Sequence, residues 1–151
     1  MNVLFVSLHN IIRWVVIILG VLAAVRGFIG WFGKKPWTEK DRKLGLFFTI
    51  SFDIQILIGI LLYLVLSQWG LKAFSNIGMA DVMRISEYRF YAVEHGLMMF
   101  VGFILAHLGS ILPKKVDDSK SKFKRAAILI GLAAILVIIG VPWDRPLFPG
   151  L

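Results

Sequence analysis

The sequence predicts an all-α, membrane-embedded four-helix bundle with both termini outside. The chain has 151 residues and is 58% hydrophobic, whereas a soluble domain is usually about half apolar or less. Its apolar residues form four long runs, and its charges are bunched between those runs. A soluble bundle would need a polar face on each surface helix, and the runs have almost none. One domain is the natural size for this length.

Four segments approach the about 20 mostly apolar residues that a membrane-spanning helix needs. We predict transmembrane helices at about 3–32, 44–66, 90–112 and 126–143, within a single transmembrane domain covering 1–151. The first segment is not a cleaved signal peptide, because it has no basic region before its apolar run and the run is too long. The fourth is short, since its apolar run ends at Pro142-Trp143.

The basic residues predict how the helices are oriented. Loops 33–43 and 113–125 hold eleven lysines and arginines, whereas loop 67–87 and the C-terminal tail hold three. The positive-inside rule therefore places the two basic loops in the cytoplasm. The net charge of +8 is mainly a topology signal, so we expect a multi-pass protein of the bacterial inner membrane. Its expected partner is the lipid bilayer rather than nucleic acid.

The second loop has two interpretations. Apolar residues in 79–85 recur at roughly helical spacing, which predicts a short interfacial helix. The alternative is an irregular loop.

The absence of cysteine excludes disulfides and thiolate metal sites, which leaves histidine as the strongest ligand type. His9 lies six residues after Val3 and His95 six after Arg89. At 1.5 Å per residue each is roughly 9 Å from its helix start, so the two histidines are expected to face each other near the outer side. Arg13 follows His9 by four residues and shares its face.

A second polar level is expected near the cytoplasmic side. It contains Arg26, Asp53 and His107. We predict an Arg26–Asp53 ion pair, because neither charge is then alone in the apolar region. His107 has no histidine partner at its depth, so it is interpreted as a packing or helix-end residue.

Two histidines at one depth suit the iron of haem b, which accepts one nitrogen from each side. Gly20 and Gly102 lie below the histidines on nearly the same faces, where small residues would give a porphyrin room. Arg13 and Arg89 are candidate partners of the haem propionates, because guanidinium pairs well with carboxylate. Arg13 has Glu94 as an alternative partner. The competing interpretation is a polar network between helices that holds no cofactor.

Several short motifs occur together along the chain: Leu8-His9-Asn10-Ile11-Ile12-Arg13-Trp14, Gln55 with Gly59 and Tyr63, Arg89-Phe90, Glu94-His95 and Pro142-Trp143. With these motifs the chain resembles a family of small four-helix bacterial membrane proteins labelled cytochrome b or cytochrome b-like. The resemblance covers nearly the whole chain. His9, Arg13, Glu94 and His95 match the family pattern, whereas Asp53 departs from it, because relatives often have histidine there.

The leading functional hypothesis is a haem-b electron-transfer protein with His9 and His95 as iron ligands. Its redox partner would be a quinone or another subunit, and a stand-alone enzyme is less expected than an electron-transfer or accessory subunit. Two alternatives remain open: a cofactor-free accessory or structural subunit, or a membrane protein that binds a quinone or lipid head near His9, Arg13 and His95. The oligomeric state is also open.

Overall fold

The fold is all-helical, as the sequence predicts. A computed structural model of the chain describes residues 2–145, with the side chain of Asn2 left out, so the ends of the predicted domain lie outside the described residues. No strand occurs in this range. The helices are α1 (Asn2–Phe32), α2 (Glu39–Leu61), α3 (Leu71–Arg84), α4 (Ser86–Arg89), α5 (His95–Ile111) and α6 (Ser119–Gly140). Short π-helical segments extend α2 (Leu62–Leu66) and join α4 to α5 (Phe90–Glu94), and a 3-10 turn follows α5 (Leu112–Lys115).

Three helical segments are long and apolar enough to cross a membrane. They are Val3–Phe32, Glu39–Leu66 and Ser86–Lys115. The outer faces of the helices are strongly apolar: Leu57 is 68% exposed and Ile139 is 62% exposed. Contiguous apolar surface of this kind suits lipid contact and is rare on soluble monomers. The chain therefore has the character of a membrane protein.

Two helices begin earlier than their apolar runs indicate, because polar caps start them inside the basic loops. The backbone N–H of Thr38 and its hydroxyl both donate to Asp41 Oδ2 at 2.8 Å, one residue before α2. Asp118 caps α6 by accepting from the Ser121 backbone N–H at 2.8 Å. That hydrogen bond holds the pKa of the Asp118 carboxyl below its usual range. Caps of this type satisfy N–H groups that a helix start leaves without partners.

The second loop is helical, which agrees with one of its two interpretations. Helix α3 covers 71–84, longer than the predicted 79–85, and breaks at Gly78, whose φ of 80° and ψ of 160° are not helical. A positive φ of this kind favours glycine.

The four long helices pack with α1 and α5 at opposite corners. Helices α2 and α6 each contact both of them. Helices α1 and α6 approach closely, since a Cβ on Gly27 would lie 2.9 Å from the Ala127 Cα. The centre is filled from α2 by Phe48 and Phe52, both fully buried.

The two ends of this bundle differ in composition. We call the end with His9 and His95 the histidine end. We call the opposite end the basic end, where α1 ends, α2 begins, α5 ends and α6 begins. It carries the two lysine-rich loops.

Candidate functional site

The histidine end brings together the two histidines that the depth argument pairs. The His9 and His95 rings have centroids 6.2 Å apart and an interplanar angle of 68°. They come from α1 and α5, the helices at opposite corners, so the rings meet across the interior. Their proximity is confirmed, while their role as ligands stays a prediction.

His95 is held in one tautomer by α6. Its Nδ1 lies 2.7 Å from the Gly140 carbonyl oxygen. A carbonyl can only accept a hydrogen bond, so Nδ1 carries the proton and donates it. In the neutral imidazole, Nε2 then keeps its lone pair. His95 is therefore oriented as a metal ligand or hydrogen-bond acceptor would be.

His9 is positioned by α2 through its backbone rather than its ring. Gln55 Nε2 donates to the His9 carbonyl oxygen at 3.0 Å. The ring packs against Gly59, where a Cβ would lie 3.3 Å from His9 Cε1. His9 Nδ1 is buried and has no hydrogen-bond partner in the described structure. Buried polar atoms without partners are rare and costly, so this nitrogen indicates a site suited to a ligand.

Arg13 lies one turn beyond His9 and is only 7% exposed. Its Nε and Nη1 are buried without hydrogen-bond partners, and its guanidinium carbon lies 5.8 Å from the Trp14 ring centroid. A buried cation without an anionic partner is unfavourable. The site therefore has an unmatched positive charge beside its two imidazoles.

The alternative Arg13–Glu94 pair is wrong. Glu94 Oε1 instead accepts from Arg89 Nε at 2.7 Å. Arg89 also donates from Nη1 to the Met83 carbonyl oxygen at 3.1 Å. The two arginines predicted to meet propionates thus differ: Arg89 already has a carboxylate partner, and Arg13 has none among residues 2–145.

The two glycines predicted to give a porphyrin room lie against phenyl rings of α2. A Cβ on Gly20 would lie 2.8 Å from Phe48 Cε2, and one on Gly102 would lie 3.4 Å from Phe52 Cζ. Both glycines therefore accommodate the central phenylalanines. The glycines at the level of the histidines are instead Gly59 and Gly140.

The basic end contradicts the predicted Arg26–Asp53 ion pair. Arg26 Nε contacts Asp41 Oδ1 at 2.6 Å, and Asp53 Oδ1 lies 3.2 Å from His107 Nε2. The prediction failed because Asp41 lies outside the apolar run although it belongs to α2. His107 also lies 3.0 Å, through Nδ1, from the Phe103 carbonyl oxygen on its own helix. Its interpretation as a packing residue fits these contacts.

Three site residues were not in the predicted ligand set: Gln55, Gly59 and Gly140. The available signal was spacing, because Gln55, Gly59 and Tyr63 recur every four residues and so share one face of α2. Tyr63 donates to the Ala92 carbonyl oxygen at 2.9 Å within the π-helical segment that precedes His95. No sequence pattern marks the Gly140 carbonyl, because its role depends on how α6 packs.

The donor set at the histidine end is small. Within residues 2–145 there is no group of three or more His, Asp or Glu side chains placed to hold a metal ion. Two imidazoles alone suit a metal whose other ligands come from its own prosthetic group, as in haem.

Fold and site together define a class: an all-helical membrane protein with a histidine pair and an unmatched buried arginine at one end. Comparison with protein-family models, curated proteins and solved structures gave no significant match to this chain. The proposals below therefore rest on the residues and their geometry.

Proposed function

We propose that this chain is a haem-b electron-transfer protein of the bacterial inner membrane, with His9 and His95 as the residues that would hold the iron. The observation that carries the proposal is the pair of facing rings from opposite helices, 6.2 Å apart. His9 Nδ1 is buried without a hydrogen-bond partner in the described structure, and the contact with Gly140 puts the proton of His95 on Nδ1, so that its Nε2 keeps a lone pair.

The spacing of the rings is compatible with one iron between them. A metal–imidazole nitrogen bond is about 2 Å, and the nitrogen lies about 1 Å from the ring centre, so two imidazoles that held one metal ion from opposite sides would have centroids about 6 Å apart. The unmatched guanidinium of Arg13 adds the cation that a haem carboxylate needs. The two imidazoles and Arg13 therefore match haem in ligand type and charge, whereas Gly20 and Gly102 accommodate phenylalanines rather than a porphyrin.

Haem b would supply one-electron redox chemistry at this site. The protein's own residues supply orientation and charge. Gly140 fixes the proton of His95 on Nδ1, and Gln55 holds the α1 backbone at His9. Arg13 offers a buried positive charge beside the rings. Such supporting contacts set the orientation and basicity of a ligand.

We also propose that α6 forms a fourth span and that both termini and α3 lie outside. Helix α6 contacts α1 and α5 along the bundle. Its first turns are basic, and its apolar part follows from Ala126 onward. The eleven basic residues at the basic end then face the cytoplasm. This arrangement places the histidine pair near the outer surface.

The resemblance to the cytochrome b-like family supports the same function. The matching residues His9, Arg13 and His95 are the ones that meet at the histidine end. A quinone or a partner redox subunit would exchange electrons with such a protein.

The visible spectrum of the purified protein tests this function. We expect a haem Soret band in protein made with adequate haem, and its loss in His9→Ala and in His95→Ala. His107→Ala is the matched control, because it removes the third histidine and should keep the band. A colourless wild-type protein, or a normal spectrum in His95→Ala, would refute the assignment.

A quinone or lipid head is the second candidate ligand. Arg13 favours it, because the unpartnered Nε and Nη1 can donate to a carbonyl or phosphate oxygen. Quinone in a solvent extract of a colourless preparation would support this candidate. A colourless protein that copurifies with a stable partner and no extractable ligand would instead indicate an accessory subunit.

A further inference from the structure

A cavity lies at the basic end, far along the bundle from the histidines. It has a volume of about 250 Å³ and opens between the end of α1, the start of α2, the end of α5 and the start of α6. Pockets for drug-sized ligands are about 300–1,000 Å³, so this cavity suits one small group. Its function would be independent of the histidine site.

The charged residues in the lining of this cavity are mostly cationic. Four basic side chains and a single carboxylate, Asp41, belong to it. Arg26 is paired with Asp41 and Arg42 with Glu39. The remaining two, Lys114 and Lys122, have no ion pair in the described part of the chain. Two of the four cations in the lining are therefore left without a carboxylate partner in the described structure.

A buried hydroxyl without a partner also belongs to the lining. Ser110 Oγ is buried and makes no hydrogen bond in the described structure. It lies beside Gly45, where an added Cβ would be 3.2 Å away. Serine has one O–H donor and can accept as well. An unused donor together with two free ammonium groups points to an oxygen-rich anion.

We propose that this cavity binds a phosphate group, with Lys114 and Lys122 as its charge partners and Ser110 as a hydrogen-bond donor. A phosphate offers several strong acceptor oxygens, and charge-assisted hydrogen bonds are the stronger kind. Two sources share this chemistry: the head of an anionic phospholipid, and a soluble phosphate. The site lies where α1 ends and α2 begins, within reach of a membrane surface.

The test is ligand-dependent thermal unfolding of the full chain in neutral detergent. The probes are inorganic phosphate, against chloride at equal ionic strength, and phosphatidylglycerol, against phosphatidylcholine. We compare the wild type with the double variant Lys114→Gln/Lys122→Gln. The matched control is Lys115→Gln/Lys120→Gln, which removes two charges from the same segment outside the cavity lining.

We expect the ligand to raise the unfolding temperature of the wild type and the control. The lining variant should bind at least about tenfold more weakly, because each basic residue near an anionic surface contributes substantially to binding. A shift with inorganic phosphate alone identifies a soluble source, and one with phosphatidylglycerol alone identifies a lipid. No shift with either ligand, or equal losses in both double variants, would overturn the proposal.

Ser110→Ala provides a second check that does not depend on charge. It removes the unpartnered hydroxyl from the buried position, so the ligand-free protein should unfold at the same or a higher temperature. The ligand-induced shift should decrease. An undiminished shift would contradict the placement of the phosphate beside Ser110.

Discussion

The two ends of the bundle differ in how their buried arginine is paired. At the basic end, Arg26 contacts Asp41. At the histidine end, the His9 ring and the Arg13 guanidinium have atoms without partners in the described structure. Between the two ends, Asp53 lies 3.2 Å from His107, although its buried Oδ1 makes no hydrogen bond there. An unpaired buried charge lowers stability more than an unpaired neutral group such as the Ser110 hydroxyl. The difference favours the histidine end as the buried cofactor site, whereas the Arg26–Asp41 pair holds α1 and α2 together.

The largest effect on stability is expected from Asp41→Asn. Asp41 is 8% exposed, and it accepts from Arg26 and from Thr38 at the start of α2. The change removes the charge of an ion pair and weakens a helix cap, so the free energy of unfolding should fall by about 3 kcal/mol. Asp117→Asn is the control, because that exposed loop residue makes no such contact. Equal losses in both variants would contradict this role for Asp41.

A pair of arginine replacements should change stability in opposite directions. Arg13→Met removes a buried cation that has no ion pair, so the cofactor-free protein should gain about 1 kcal/mol in free energy of unfolding. Arg26→Met should lower that free energy, because it leaves the Asp41 carboxylate buried without its cation. Denaturant unfolding of the two variants measures both signs. A loss of stability in Arg13→Met would show that Arg13 is already paired.

The smallest effect is expected from Asp53→Asn. The Asp53 and His107 side chains are 42% and 34% exposed, and Asp53 Oδ1 makes no hydrogen bond in the described structure, so their interaction is weak. A single polar contact between membrane helices contributes about 0.6 kcal/mol on average, and the loss should be of that order. Thermal unfolding beside Asp41→Asn tests the ranking. A loss as large as that of Asp41→Asn would place Asp53 among the main structural contacts.

The sequence predicts the helices better than it predicts the contacts between them. Apolar run length is enough to locate α1 and the end of α2, because burying backbone in an apolar medium requires a helix. Apolar run length does not locate the starts of α2 and α6, because these helices begin at the capping residues Thr38 and Asp118, which lie in the charged loops. Charged residues continue a helix well, so hydrophobicity misses those turns.

The depth of the two histidines along the bundle was predictable from the sequence, whereas the ion-pair partner of Arg26 was not. The helical segments that carry His9 and His95 begin at the same end of the bundle, so counting residues from each helix start places the two histidines at one depth. The partner of Arg26 depends on the rotation of α2 and on the helical register between α1 and α2, which no single sequence pattern records. Asp41 and Asp53 are twelve residues apart on α2, and packing selects Asp41. The contact between the Gly140 carbonyl and His95 was not predictable either, because it depends on how α6 packs against α5.

The most direct test of the central claim is a haemin titration of the purified, cofactor-free protein in detergent, followed by absorption spectroscopy. We predict saturation at one haem per chain, with a spectrum of two-histidine ligation, and no such spectrum in His9→Ala or His95→Ala. His107→Ala should titrate like the wild type. Failure of the wild type to bind haem, or equal binding by His9→Ala, would contradict the assignment of the histidine end as the cofactor site.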